Sequence, residues 1–186
     1  MTDCLAISSY AIKRASALLA TGQLVAFPTE TVYGLGADAT DTAAVARIFS
    51  AKQRPAFNPL ISHVANPKAA FSLGIETPLA RVLADAFWPG PITLVLDRYP
   101  DCPVAMLTTA GLNKIALRVP AHDVACQLLS AFDKPVAAPS ANPSGRISPS
   151  TADHVLSGLG GKIDLVLDGG PCQSGLESTE IGRAHV

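Results

Sequence analysis

Short apolar runs and helical stripes alternate along this chain. Leu24-Val25-Ala26-Phe27 is an unbroken apolar run closed by Pro28, the pattern of a buried strand. Residues 59–64, 92–96, 115–119, 136–138 and 164–167 read as further strands. Between them, residues 12–19 predict an Ala-rich helix ended by Thr21-Gly22. Asp41 or Thr42 caps a second helix with Val45, Ile48 and Phe49 on one side. Leu79, Val82, Leu83, Ala86 and Phe87 give a third helical face, stopped by Trp88-Pro89-Gly90-Pro91. Ala125, Leu128, Leu129 and Phe132 give a fourth, and a last helix starts near Ser150 or Thr151. Residues 97–113 read as a polar, irregular connection. Strands interleaved with helices predict an α/β chain, a single domain on a twisted mixed sheet with flanking helices. No internal repeat or linker divides it.

Polar groups gather where the strands end. Past Phe27 come Pro28-Thr29-Glu30-Thr31-Val32-Tyr33-Gly34-Leu35-Gly36, which bring hydroxyls, a carboxylate and a phenol. Open α/β sheets bind ligands at such strand ends; the plain alternative is a strand-to-helix loop. Lys52 continues the apolar stripe of the second helix by one turn. A buried ammonium there is costly unless something anionic meets it. Arg54, followed by Pro55, offers a planar fork to phosphate or carboxylate. Against this, cations at a helix C-terminus favour the dipole and snorkel to water. Ile115, Leu117 and Val119 share one strand face and Arg118 lies on the other, as a carboxylate clamp, a partly exposed cation or half of a structural ion pair. His63 is a core histidine or a ligand, and Ser140 and Asn142 are turn residues or nucleotide contacts.

Two apparent nucleotide motifs fail. Gly34-Leu35-Gly36-Ala37-Asp38-Ala39 fits a loose dinucleotide pattern but does not follow its strand directly. Lys52 and Arg54 stand where an acidic ribose partner belongs. Gly160-Gly161-Lys162-Ile163 lacks the Mg²⁺-binding hydroxyl of a P-loop, and position 156 is Leu.

Composition narrows the classes. With 186 residues, 48% hydrophobic and 16% charged, the chain has enough apolar surface for one substantial core. A net charge of −1 argues against a nucleic-acid coat, although a local basic patch is compatible with it. Cys4, Cys102, Cys126 and Cys172 are far apart and form no C-x-x-C pair, which predicts free thiols in a reducing compartment and no metal site. No N-terminal signal precedes the first helix, and no apolar run approaches the ~18 residues needed to span a bilayer. A cytoplasmic protein without membrane contact is expected.

The chain resembles the YrdC-like family, the threonylcarbamoyl-AMP synthases. The matching pieces are Pro28-Thr29-Glu30-Thr31-Val32-Tyr33-Gly34, Lys52-Gln53-Arg54-Pro55, Trp88-Pro89-Gly90-Pro91 and Arg118-Val119-Pro120. Ala138-Pro139-Ser140-Ala141-Asn142, Ser144-Gly145, Asp168-Gly169-Gly170 and Glu177-Ser178-Thr179 complete them in order. The resemblance implies a concave basic cavity and condensation of L-threonine, bicarbonate and ATP, carried in with Mg²⁺, into threonylcarbamoyl-AMP and pyrophosphate. It implies that Lys52 and Arg54 are the catalytic cations. Together with Asn58, Lys114, Ser140, Asn142 and Ser148 they would hold ATP. Thr31, His63, Arg118, Ala138 and Ser178 would hold threonine. The product would pass to a tRNA-modifying threonylcarbamoyl transferase assembly, with room for a weak direct contact with tRNA.

The likeness gives a domain over residues 1–179. Residues 180–186 depart from the family's pattern and are expected to be a foreign or truncated tail. Two rivals remain. One is a non-catalytic RNA-binding module using the same basic cavity, disfavoured by the net charge and the lack of an aromatic ladder. The other is the carbamoyl-transfer domain of hydrogenase maturation proteins, whose acylphosphatase and zinc-finger segments have no counterpart here.

Overall fold

The computed structural model describes residues 1–182; residues 183–186, the end of the expected tail, lie outside the described residues. β1 (Asp3–Ala6) leads into α1 (Ser9–Ala20), whose first turn is capped by Ser8 accepting from Ala11 N–H. β2 (Val25–Pro28) turns through Thr29–Val32 into β3 (Tyr33–Asp38), with Phe27 opposite Gly34 in an antiparallel pair. This is a hairpin and not the strand-to-helix loop that the plain reading of this stretch expected. Gly36 makes it fit, because a Cβ there would lie 2.9 Å from both the Phe27 ring and Val136.

α2 (Thr42–Lys52), capped by Asp41, is followed by β4 (Ile61–His63), α3 (Pro67–Phe71), α4 (Pro78–Phe87) and β5 (Ile92–Asp97). β6 (Lys114–Arg118), α5 (Asp123–Phe132), β7 (Val136–Ala137), α6 (Ala152–Leu159), β8 (Leu165–Asp168) and β9 (Thr179–Ile181) complete the chain. The strands form one mixed nine-stranded sheet in the order β1-β8-β2-β3-β7-β4-β6-β5-β9. β9 pairs in parallel with β5, so Glu180 and Ile181 of the expected tail are part of the sheet edge.

The pleat sorts the core into two layers. Val25 and Phe27 join Leu165, Leu167, α1 and α5 on one face, while Leu24, Ala26, α2 and α6 lie on the other. α4 departs from its sequence pattern. It packs through Ala80 and Ala84, which allow close approach, and turns Leu79, Val82 and Phe87 outward. No helix among the described residues is long and apolar enough to cross a membrane.

Candidate active site

The His63 ring meets the Phe27 ring edge-on at 6.3 Å, which places β4's inward side chains on the α1–α5 face of the sheet. There a cavity of about 220 Å³ opens above β4 and β6. That is below the ~300–1,000 Å³ of most ligand pockets, so it can enclose an amino-acid-sized molecule while a larger partner projects from its mouth. Its walls include Pro59 and Leu60 ahead of β4, and Ile61 and His63 within it.

The inner end is built by strand register. β4 and β6 are parallel, with His63 level with Arg118 and Ile61 level with Ala116. Thr31 enters from the β2–β3 turn, Ala138 follows β7, and Ser178 precedes β9; all five expected threonine residues line this one cavity. Thr31 Oγ1 lies 2.8 Å from Thr29 Oγ1, which also bonds the Val32 carbonyl. Ser178 Oγ lies 3.1 Å from Thr93 Oγ1. Arg118, 4% exposed, donates from Nη2 to Glu30 Oε1 at 2.7 Å and to Thr31 Oγ1 at 3.0 Å, and from Nε to the Gly90 carbonyl at 3.3 Å. Arg118 is therefore not partly exposed but half of a buried ion pair, on a residue that also faces the cavity.

His63 is buried, and its Nδ1 has no hydrogen-bond partner. Burial first, and the Arg118 charge second, push its pKa down to about 3, so the ring is neutral at physiological pH. A neutral imidazole with one idle nitrogen is a hydrogen-bonding group without charge, a suitable neighbour for a nucleophilic amine.

The outer end is made of loops. Arg54 and Ser140 line the cavity, and Arg54 Nη2 donates to the Pro59 carbonyl at 3.2 Å. Lys52 is buried as its place on the stripe requires, but backbone carbonyls, and not an anion, meet it. Nζ donates to the Ser140 and Asn142 carbonyls. Burial, then the neighbouring Arg54 charge, lower its pKa to about 8, with Glu177 acting the other way. Asn142 spends its amide on the Arg146 and Pro143 carbonyls, shaping its own loop. Ser148 donates to Glu177. Lys52, Asn58, Asn142, Ser148 and Lys114 are thus not among the lining residues. Lys114 pairs with Asp97 at 2.7 Å at the start of β6, two residues before the Ala116 that stands level with Ile61.

Three lining or bracing residues escaped the sequence reading: Glu30, Glu177 and Glu180. Glu30 had a signal, being the one carboxylate among the hydroxyls of the β2–β3 turn when Arg118 needed a partner. Among the described residues no group of three or more His, Cys, Asp or Glu could hold a metal ion. The site therefore offers a guanidinium, hydroxyls and a neutral imidazole at one end and a second guanidinium at the other. That set suits an amino acid held beside an anionic partner.

The Sua5, YciO and YrdC family profile, described as "Telomere recombination", matches residues 17–182. The threonylcarbamoyl-AMP synthase of Pyrococcus abyssi is 49% identical over 176 residues, 94% of this chain and 51% of that protein. The threonylcarbamoyl-AMP synthase of Bacillus subtilis is 46% identical over 99% of this chain and 53% of its own length. The crystal structure of P. abyssi Sua5 complexed with L-threonine superposes with a TM-score of 0.91 at 47% identity, over 97% of this chain and 53% of that one. The chain spans about half the length of these relatives.

Proposed function

This chain belongs to the Sua5, YciO and YrdC family, and from that premise we propose that it makes threonylcarbamoyl-AMP from L-threonine, bicarbonate and ATP, releasing pyrophosphate. The observation that carries the reading is convergence. Thr31, His63, Arg118, Ala138 and Ser178 come from distant segments and line one cavity whose mouth holds Arg54 and Ser140.

In this reading the threonine carboxylate sits on Arg118, whose Nη1 enters none of the bonds that fix the rest of the fork. Thr31 and Ser178 offer hydroxyls to the substrate, and neutral His63 adds no positive charge beside the amine, which reacts once it has given its proton to solvent. The amine condenses with bicarbonate to a carbamate with loss of water. A carbamate oxygen then attacks the α-phosphorus, and the bond to pyrophosphate breaks. No side chain need become covalently attached. Arg54 neutralises charge on the phosphates, while Lys52 fixes the Ser140–Asn142 segment against which the nucleotide lies. Mg²⁺ would enter on the triphosphate, held by its oxygens. Asn58, Ser148 and Lys114 would reach the nucleotide from the loops and strand end around the mouth. The product would pass to a tRNA-modifying threonylcarbamoyl transferase assembly in the cytoplasm.

The test is pyrophosphate release from MgATP, with each co-substrate omitted in turn. Release that requires both threonine and bicarbonate is expected. Release indifferent to threonine would overturn the reading.

A further inference from the structure

Glu30 has no part in the chemistry above, yet it is only 8% exposed and its two oxygens are divided between the end of β6 and the loop that follows it. Oε1 accepts from Arg118 Nη2 at 2.7 Å, and Oε2 accepts from the Ala121 N–H at 3.1 Å, three residues further along the same connection. The Arg118 fork is then fixed at two further points, Thr31 Oγ1 on Nη2 and the Gly90 carbonyl on Nε. Thr31 Oγ1 is itself held by Thr29 Oγ1. An arginine side chain has many rotamers, and a planar fork discriminates between ligands only when its plane is set. Here the carboxylate sets it, and leaves Nη1 as the guanidinium nitrogen free of these ties on a residue that lines the cavity.

We infer that Glu30 is a positioning residue for the substrate carboxylate. It locks the Arg118 guanidinium so that one edge faces the inner end of the cavity, and joins the β2–β3 turn to the end of β6 as one rigid bracket. The inference rests on reading that inner end as the amino-acid site. It differs from a purely structural ion pair in what it predicts. A structural pair affects the whole protein, whereas a bracket for one donor affects the ligand that this donor meets.

The experiment measures L-threonine binding by calorimetry and the KM for ATP and for threonine. The variants are Glu30→Gln, Glu30→Asp, Arg118→Lys and the Glu30→Gln/Arg118→Lys double. Glu30→Gln keeps the shape but weakens a charge-assisted bond, so the threonine Kd and KM should rise by about 10-fold or more while the ATP KM stays within about 2-fold. Glu30→Asp, one methylene short, should give a smaller rise of the same kind. In the Arg118→Lys background Glu30→Gln should add less than about 2-fold, because the group it positions is gone. An unchanged threonine Kd in folded Glu30→Gln overturns the inference, as do equal losses for ATP and threonine or fully additive effects in the double variant. Should Glu30→Gln not fold, an unchanged threonine Kd in Glu30→Asp overturns it. A wild-type chain that binds no threonine removes the site reading itself, whereas wild type and Glu30→Gln binding threonine equally removes only the role of Glu30.

Discussion

The two ends of the cavity are built by different means. At the inner end His63 and Arg118 stand on paired strands, and each neighbour, Thr31, Thr93, Glu30 or Gly90, fixes another. At the mouth, Arg54, Asn58, Ser140 and Ser148 stand on loops, tied chiefly through Lys52 and the Ser148–Glu177 contact. Each end carries a buried cation, but Arg118 is met by a carboxylate and Lys52 by carbonyls. A register-built end is formed before its ligand arrives. A loop-built end can still move to meet one, which suits a nucleotide larger than the cavity.

The largest expected effects separate the ends cleanly. Arg118→Ala removes the clamp, at about 2–4 kcal/mol of transition-state stabilisation, so threonine-dependent pyrophosphate release should fall by about 30- to 1,000-fold. It also leaves Glu30 buried without its cation, so the melting temperature should drop as well. Lys52→Met is its mirror. Freeing the Ser140–Asn142 carbonyls should raise the ATP KM by about 10- to 100-fold and leave direct threonine binding within about 2-fold. Initial rates with each substrate varied, beside calorimetry with threonine alone, read both. Equal damage to both substrates by either variant would mean that the ends are not separate.

The same division governs what could be read from the residues. The longer helices and the α/β class follow from periodicity, because burial on one side leaves a repeat in the sequence. The short α3 did not, and the repeat put Arg118 opposite the apolar face without telling that this face too is buried. The Lys52 stripe foretold burial, but periodicity says nothing of the partner, and carbonyls of a loop 88 and 90 residues away carry no pattern of their own. β3 was missed because Tyr33-Gly34-Leu35-Gly36 reads as a turn; its glycines are there so that Phe27 and Val136 can close over the strand. α4 misled in the opposite direction, since Leu79, Val82 and Phe87 of its apolar stripe face out while Ala80 and Ala84 face in. Likeness to a family supplied the site residues as a set. Geometry then divided that set, bringing all five residues expected to hold threonine to the cavity but only Arg54 and Ser140 of those expected to hold the nucleotide.

A middle-sized effect tests how dry the inner end is. With its folded-state pKa lowered to about 3 from 6.5, His63 stays unprotonated where the unfolded chain takes up a proton. The unfolded state therefore binds more protons between about pH 6.5 and 3, and stability falls with falling pH in that window, by about 1.4 kcal/mol per unit once well below 6.5. At pH 5 this amounts to about 2 kcal/mol. Urea melts at pH 7 and pH 5 should show that loss in the wild type, and a smaller one in His63→Gln. An equal loss in both would mean that water reaches the imidazole and that the inner end is as open as the mouth.

The smallest effect is the most discriminating at the mouth. Lys114 is exposed and pairs with Asp97, and it opens β6 two residues before Ala116 without being part of the wall. Were it a built contact like Arg118, removing it would cost a factor of 10² or more. As an exposed charge that must leave one partner to reach another, it contributes about 0.2–1 kcal/mol. Lys114→Ala should thus raise the ATP KM by only about 2- to 5-fold, and leave the threonine KM unchanged. The increment should fade between low salt and ~0.5 M salt, because solvent-exposed charges are screened over a few ångströms there. Arg54→Ala, on a residue that does line the cavity, should lose more and lose it at both ionic strengths. A Lys114→Ala defect as large and as salt-resistant as that of Arg54→Ala would show that the mouth is as firmly pre-built as the inner end, and the contrast between them would no longer hold.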